Sequence, residues 1–105
     1  MSEARLTSLK IESPARTIAV RARQGKQNNK SAGLFWLGGF KSDMGGTKAV
    51  ALDAFAERQG RACIRFDYSG HGESDGDFKD GTIGQWLEES VAVYRQFAAG
   101  PQVVI

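Results

Sequence analysis

The sequence predicts an α/β fold in which an antiparallel N-terminal hairpin leads into a parallel sheet built of βαβ units. Within residues 1–24, Leu9–Glu12 and Thr17–Arg23 alternate apolar and polar side chains about one turn signal. Residues 34–105 carry short apolar runs of the kind that form buried parallel strands. Between those runs lie two segments with apolar residues at helical spacing. Strand, helix, strand, helix, strand in that order makes right-handed crossovers and a parallel sheet.

The elements follow in chain order. Leu9–Glu12 alternates, and Ser13-Pro14 marks a turn. Thr17–Arg23 alternates again, with Ile18, Val20 and Ala22 on one face. Arg21 and Arg23 fall between them, which predicts the wet face of an edge strand. Gly25–Ala32 is polar and reads as a loop. Leu34-Phe35-Trp36-Leu37 is a continuous apolar run ended by Gly38-Gly39, as for a strand covered on both faces. After Gly45-Gly46, the positions Ala49, Leu52, Phe55 and Ala56 recur at helical spacing, and Gly60 stops that helix. Ala62–Phe66 is the next buried strand.

Thr82 and Gln85 have the spacing of a capping box, which satisfies free N–H groups at a helix start. Ile83, Trp86, Leu87, Ser90, Val91, Tyr94 and Phe97 share one face of the helix that follows. Trp36, Trp86, Tyr94 and Phe97 read as core. Gly100-Pro101 ends the helix, and Gln102–Ile105 opens a strand that parallel topology expects to be central and buried on both faces. A chain stopping there would bring a carboxylate near the core, at several kcal/mol if desolvated, and leave a sheet edge without neighbours. Residues 1–105 are therefore expected to be the first part of a longer domain, with a hairpin at 1–24 and a βαβαβ portion at 34–105.

Composition narrows the classes. Hydrophobic residues make up 41% and charged residues 25% of the 105, the usual balance of a globular chain. No run approaches the ~20 apolar residues that span a bilayer, and Met1-Ser2-Glu3-Ala4-Arg5 does not lead into the apolar block of a secretory signal. Glu3 and Glu12 interrupt a basic presequence. The net charge of +2 conceals an asymmetry: residues 1–30 hold seven Lys/Arg and two Asp/Glu, residues 31–105 seven and ten. No aromatics interleave with the basic residues, which argues against a nucleic-acid surface. Cys63, the only cysteine, excludes an internal disulfide and sits in an apolar strand as a small hydrophobe.

The candidate chemistry lies on two loops, Gly38–Gly46 and Asp67–Asp80, which leave the carboxyl ends of adjacent strands, where open α/β sheets bind ligands. A dinucleotide fingerprint starting at Gly38 needs glycine at Phe40 and Asp43, and fails. A P-loop fails because Gly46-Thr47-Lys48 reverses its last two residues. The acids Asp75, Asp77 and Asp80 do not fit a calcium loop, where Lys79 and Asp80 would fall on a ligand and the invariant glycine. The only histidine, His71, lies with Ser69, Ser74, Asp67 and Asp75 inside one tight turn. A triad needs a base held between nucleophile and acid by separate elements, so these side chains are expected to hold the turn.

Taken together, Leu37-Gly38-Gly39-Phe40, Gly46-Thr47-Lys48-Ala49, Ile64-Arg65-Phe66-Asp67-Tyr68-Ser69-Gly70-His71-Gly72-Glu73-Ser74 and Gly100-Pro101-Gln102-Val103-Val104 resemble the N-terminal portion of an α/β-hydrolase. The subfamily resembled is the mitochondrial abhydrolase palmitoyl-protein thioesterases and their bacterial relatives. That resemblance implies a serine hydrolase of acyl esters or thioesters, without metal or cofactor. The serine of a Gly-x-Ser-x-Gly elbow, its acid and its histidine would all follow Ile105, so none lies in this chain and the chain alone is expected to be inactive. It implies one oxyanion N–H, by position that of Phe40, with Gly39, Ser42 and Asp43 near the substrate. Asp67 and His71 match positions that shape the turn and carry no catalytic role. The expected compartment is the cytoplasm for a bacterial protein and the mitochondrion for a eukaryotic one. Two alternatives stand beside this reading, a non-catalytic fragment or binding module and a nucleotide-binding βαβ domain. The oligomeric state is not encoded in any of these motifs.

Overall fold

A computed structural model describes residues 4–12, 15–27, 29–39 and 42–105. Five strands form one sheet in the order β1-β2-β4-β3-β5. The strands are β1 (Arg5–Ile11), β2 (Arg16–Arg23), β3 (Gly33–Phe35), β4 (Cys63–Phe66) and β5 (Gln102–Val104), and the helices are α1 (Thr47–Gln59) and α2 (Ile83–Phe97). β1 and β2 form an antiparallel hairpin with Ile11 opposite Arg16. β2 then pairs antiparallel with β4, while β3 lies parallel to both β4 and β5. The carboxyl ends of β3 and β4 therefore share one edge.

The alternation of side chains divides the core between the two faces of the sheet. Ile18, Val20, Phe35, Ile64, Phe66 and Val93 form one cluster, against α2. Ala19, Trp36, Met44 and Ala49 form another, and Leu34, Ala56 and Cys63 a third, both against α1. Phe35 packs against Phe66 and edge-on to Tyr94, with ring centroids 5.7 and 5.2 Å apart.

The helix ends follow from their capping residues. Gly60 takes the left-handed conformation at φ 67°, and the N–H groups of Gly60 and Arg61 return to the last turn of α1. Thr82 Oγ1 accepts from the Gln85 N–H at 3.1 Å and starts α2. No helix among the described residues is long and apolar enough to cross a membrane.

Two expectations need correction. β2 is not an edge strand, because it pairs with both β1 and β4. Its second face lies under α1, so Arg23 is only 7% exposed and its guanidinium meets the Asp53 carboxylate through two bonds of 2.9 Å. Arg21 is partly exposed and pairs with Glu73 at 3.3 Å. In α2 the buried side chains are Glu89 and Val93, whereas Ile83, Leu87, Val91 and Tyr94 from the apolar face are exposed. The face is apolar as read, but the helix lies on the sheet through positions rotated away from it. β5 pairs in parallel with β3 and stands at the end of the strand order with Val103, Val104 and Ile105 exposed, the open sheet edge that was expected.

Candidate functional site

The loop after β3 and the turn after β4 meet at the shared carboxyl edge. The turn is built first, by the backbone. Asp67 N–H donates to the Ala19 carbonyl, His71 N–H to Tyr68, Ser74 N–H to His71 and Gly70 N–H to Asp75. Asp75 N–H donates to Thr17 and fastens the turn to β2. Gly72 sits at φ 47°, and a Cβ there would lie 2.2 Å from the Asp67 carboxylate. Only glycine lets the backbone pass so close to that side chain.

The polar residues of the turn are committed to holding it. Ser69 Oγ donates to Glu89 Oε2 at 2.6 Å, and Ser69 N–H donates to Glu89 Oε1 at 2.8 Å. Ser74 Oγ donates to the Asp67 carbonyl and accepts from the Ala19 N–H. The buried His71 ring lies edge-on to Tyr68, Phe78 and Trp86, with Nδ1 3.1 Å from the Ser69 carbonyl. The structure thus brings His71, Ser69, Ser74 and Asp67 into one turn, with both hydroxyl protons directed away from the imidazole. Asp75 is exposed at its rim.

Asp67 faces the neighbouring loop. Its Oδ1 accepts from Met44 N–H at 2.7 Å and its Oδ2 from Glu73 N–H at 2.9 Å, so one carboxylate ties the two loops together. Burial raises its pKa, and the two backbone donors oppose that rise without cancelling it. Arg65 Nη1 donates to the Met44 carbonyl at 2.7 Å, and Tyr68 Oη donates to the Gly38 carbonyl at 3.0 Å. Neither Arg65 nor Tyr68 was singled out from the sequence. The signal for Arg65 is a single charge inside an otherwise apolar strand, which must find a buried partner.

Within the loop, Ser42 N–H and Oγ both donate to the Gly39 carbonyl, at 3.1 and 2.7 Å. Asp43 Oδ1 accepts from Gly45 N–H at 2.8 Å just before α1 begins. Gly39, Ser42 and Asp43 line a hollow of about 780 Å³ together with Trp36, Leu37, Thr47 and Ile105. Phe40, the expected oxyanion donor, lies outside the described residues. A smaller apolar hollow of about 330 Å³ opens on the other side of Leu37 and Gly38, walled by Tyr68, Trp86 and Leu87. A further hollow of about 570 Å³, near Arg5, Arg23 and Ala62, lies at the opposite end of the strands and has none of the loop's donors.

Other reactive groups serve the scaffold. Burial pushes the Cys63 thiol up to about 12, so it is not a thiolate nucleophile at neutral pH. Among the described residues no cluster of three or more His, Cys, Asp or Glu side chains could hold a metal ion. The arrangement offers a loop of backbone groups, fixed at both ends, beside an apolar hollow.

The chain is 42% identical over 80 residues to human palmitoyl-protein thioesterase ABHD10, mitochondrial, a match covering 76% of this chain and 26% of that protein. The crystal structure of a protein from Agrobacterium vitis S4, assigned as a hydrolase, superposes with a TM-score of 0.86 at 43% identity, over 99% of this chain and 40% of that one. Mouse alpha/beta hydrolase domain-containing protein 10 superposes with a TM-score of 0.84 at 37% identity, over 96% of this chain and 38% of that one. No family model matches the chain. The chain spans about a quarter of the length of the curated relatives it matches.

Proposed function

The chain belongs to the α/β-hydrolases, as the N-terminal portion of their fold, and on that premise we infer that the protein carrying it hydrolyses acyl esters or thioesters through a serine nucleophile. The nucleophile, its acid and its histidine are assigned to sequence following Ile105. This segment contributes the floor of the site and one oxyanion donor, by position the Phe40 N–H. Gly39, Ser42 and Asp43, which line the hollow, are assigned to the path by which substrate would enter.

The observation that carries this reading is the clasp of the β3 loop by the end of β4. Tyr68 holds the Gly38 carbonyl, and Asp67 and Arg65 hold the two backbone groups of Met44. Oxyanion stabilisation depends on donors fixed before the reaction begins, and losing one costs about 2.7–4 kcal/mol of barrier lowering. The name of the human relative supports a long-chain acyl thioester as substrate. It also supports a mitochondrial location if the source is eukaryotic; the bacterial counterpart would be cytoplasmic. The acyl transfer proceeds by attack of serine on the carbonyl and then by water on the acyl-enzyme, with no cofactor in either step.

The test is turnover of an activated aryl ester and a palmitoyl thioester by the full-length hydrolase. We expect turnover that a serine-directed fluorophosphonate abolishes, and none by the 105-residue chain alone. Phosphonate-sensitive turnover by the short chain would overturn the assignment of the nucleophile. A micromolar ATP or NAD site in equilibrium titration would favour a nucleotide-binding βαβ domain instead.

A further inference from the structure

We propose that the end of the sheet opposite the candidate site is a docking face for an anionic phospholipid surface, formed by Arg5, Lys26, Lys30, Arg58 and Arg61. The proposal stands apart from the acyl-hydrolase reading, because it concerns where the molecule sits and not what it cleaves.

This end of the sheet holds the start of β1, the end of β2 and the starts of β3, β4 and β5, through the pairings of Arg5 with Ala22, Arg23 with Cys63 and Gly33 with Gln102. The loop from β2 to β3 is fastened to the end of α1. Lys26 N–H donates to the Gly60 carbonyl at 2.9 Å, and Asn29 Nδ2 donates to the Gln59 carbonyl at 2.6 Å. These bonds bring Lys26 and Lys30 beside the segment that carries Arg58 and Arg61. The Lys26 stem lies over Gly60, where an added Cβ would stand 3.1 Å from Lys26 Cδ. Arg5 shares a hollow with Gly25 and Ala62, the neighbours in sequence of Lys26 and Arg61. Arg5, Lys26, Lys30 and Arg58 are exposed, and Arg61 is partly so.

Among the described residues none of these five forms an ion pair. The nearby carboxylates are engaged elsewhere, since Asp53 and Glu57 both meet Arg23, at 2.9 and 3.3 Å. The carboxyl edge has the opposite character: its loops expose Asp43, Glu73, Asp75, Asp77 and Asp80, against Lys48 and Lys79 among the described residues. The charge is thus separated along the strands. A planar anionic surface attracts one end of such a molecule and repels the other, which fixes orientation as well as binding. An acidic peptide or a nucleic acid would use the basic end alone, whereas the plane uses both. Docked in this way, the chain turns its carboxyl edge to the water, and substrate reaches the hollows there from the aqueous side.

The experiment sediments the 105-residue chain with vesicles of phosphatidylcholine alone, or with about 30% phosphatidylserine, at about 0.1 M salt, where the Debye length is about 10 Å. We expect binding to the anionic vesicles only, reversed at about 1 M salt, where that length falls to about 3 Å. Each cation near such a surface contributes about fivefold, so Lys26→Gln with Arg58→Gln should lower partitioning about 25-fold. Lys10→Gln with Lys79→Gln removes the same charge from the opposite end and should change it less than about twofold. All four positions are exposed, and circular dichroism checks that both double variants fold. An equal loss in the two double variants would show that net charge and not this face binds. Equal binding to phosphatidylcholine vesicles would assign the contact to the exposed apolar face of α2. No sedimentation with anionic vesicles would overturn the proposal, and micromolar binding of polyglutamate or duplex RNA in its place would assign the cations to an acidic polymer.

Discussion

The two helices cover the two faces of one sheet in opposite ways. α1 buries small side chains, Ala49 and Ala56, around a charged centre in which Asp53 meets Arg23 and Arg65. α2 buries Val93 and a glutamate, Glu89, and turns apolar residues outward, with Ile83 79% and Leu87 63% exposed. A hydrophobic stripe records which side chains are alike, whereas burial records which neighbours they have. On the α1 side the neighbours are charges placed to match. On the α2 side the stripe meets the sheet along one edge only, where Tyr94 lies against Phe35 and Phe97 against the core, while Ile83, Leu87 and Val91 stay outside and Val103, Val104 and Ile105 extend the exposed apolar edge.

Breaking the charged centre under α1 gives the largest expected effect. Asp53→Ala would leave Arg23 and Arg65 buried without their shared carboxylate, and removal of one partner of a buried pair costs about 3–5 kcal/mol. Urea denaturation of the chain measures it. The same carboxylate gives a pH signature. Burial disfavours its charge, but the Arg23 hydrogen bonds and the positive charges of Arg65 and Arg23 outweigh that and hold its pKa below the ordinary 3.8. Its contribution to stability is therefore fully present above about pH 4 and is lost as pH falls through the depressed folded value. A wild-type chain whose acid unfolding limb matches that of Asp53→Ala would show that the pair does not stabilise the α1 side.

Glu89→Ala tests the buried charge under α2 and should cost less, about 1.5–3 kcal/mol. Glu89 is fully buried and takes hydrogen bonds from Arg16 Nε, Ser69 N–H and Ser69 Oγ. Arg16 keeps a second carboxylate, its Nη2 meeting the half-exposed Glu88, as Arg23 keeps Glu57 at 3.3 Å, but Asp53→Ala also takes the shared carboxylate from a second buried arginine, Arg65. The variant should therefore unfold at a higher urea concentration than Asp53→Ala. The reverse order would show that the Ser69 anchor matters more to the fold than the α1 centre.

These two centres also show which parts of the molecule are readable in the sequence. The hairpin, the Thr82 cap and the Gly60 stop were legible because each depends on residues within a few positions of one another. The direction of Arg23 was not, since its partner Asp53 comes 30 residues later and belongs to another layer. Alternation correctly put Arg21 and Arg23 on the face opposite Ile18 and Val20. It could not tell that α1 covers that face. The site divides in the same way. The turn Asp67–Asp75 announced itself through its glycines, whereas the clasp of Tyr68 on Gly38 joins residues 30 positions apart with no local signal.

The smallest expected effect is on the outward stripe of α2. Leu87→Ser changes a side chain that is 63% exposed and lies between the hollows beside Tyr68 and Val104. For a surface position the change in unfolding free energy should stay within about 0.5 kcal/mol, and serine's weaker helix propensity accounts for a few tenths of that. Asp53→Ala and Leu87→Ser thus bracket the contrast between the two sides, one removing a matched buried charge and the other an apolar group with no surface against it. A loss above about 1 kcal/mol for Leu87→Ser would mean that the stripe is packed in solution. In that case the loss should grow with protein concentration if a second copy supplies the packing, and stay constant if the chain itself folds over it.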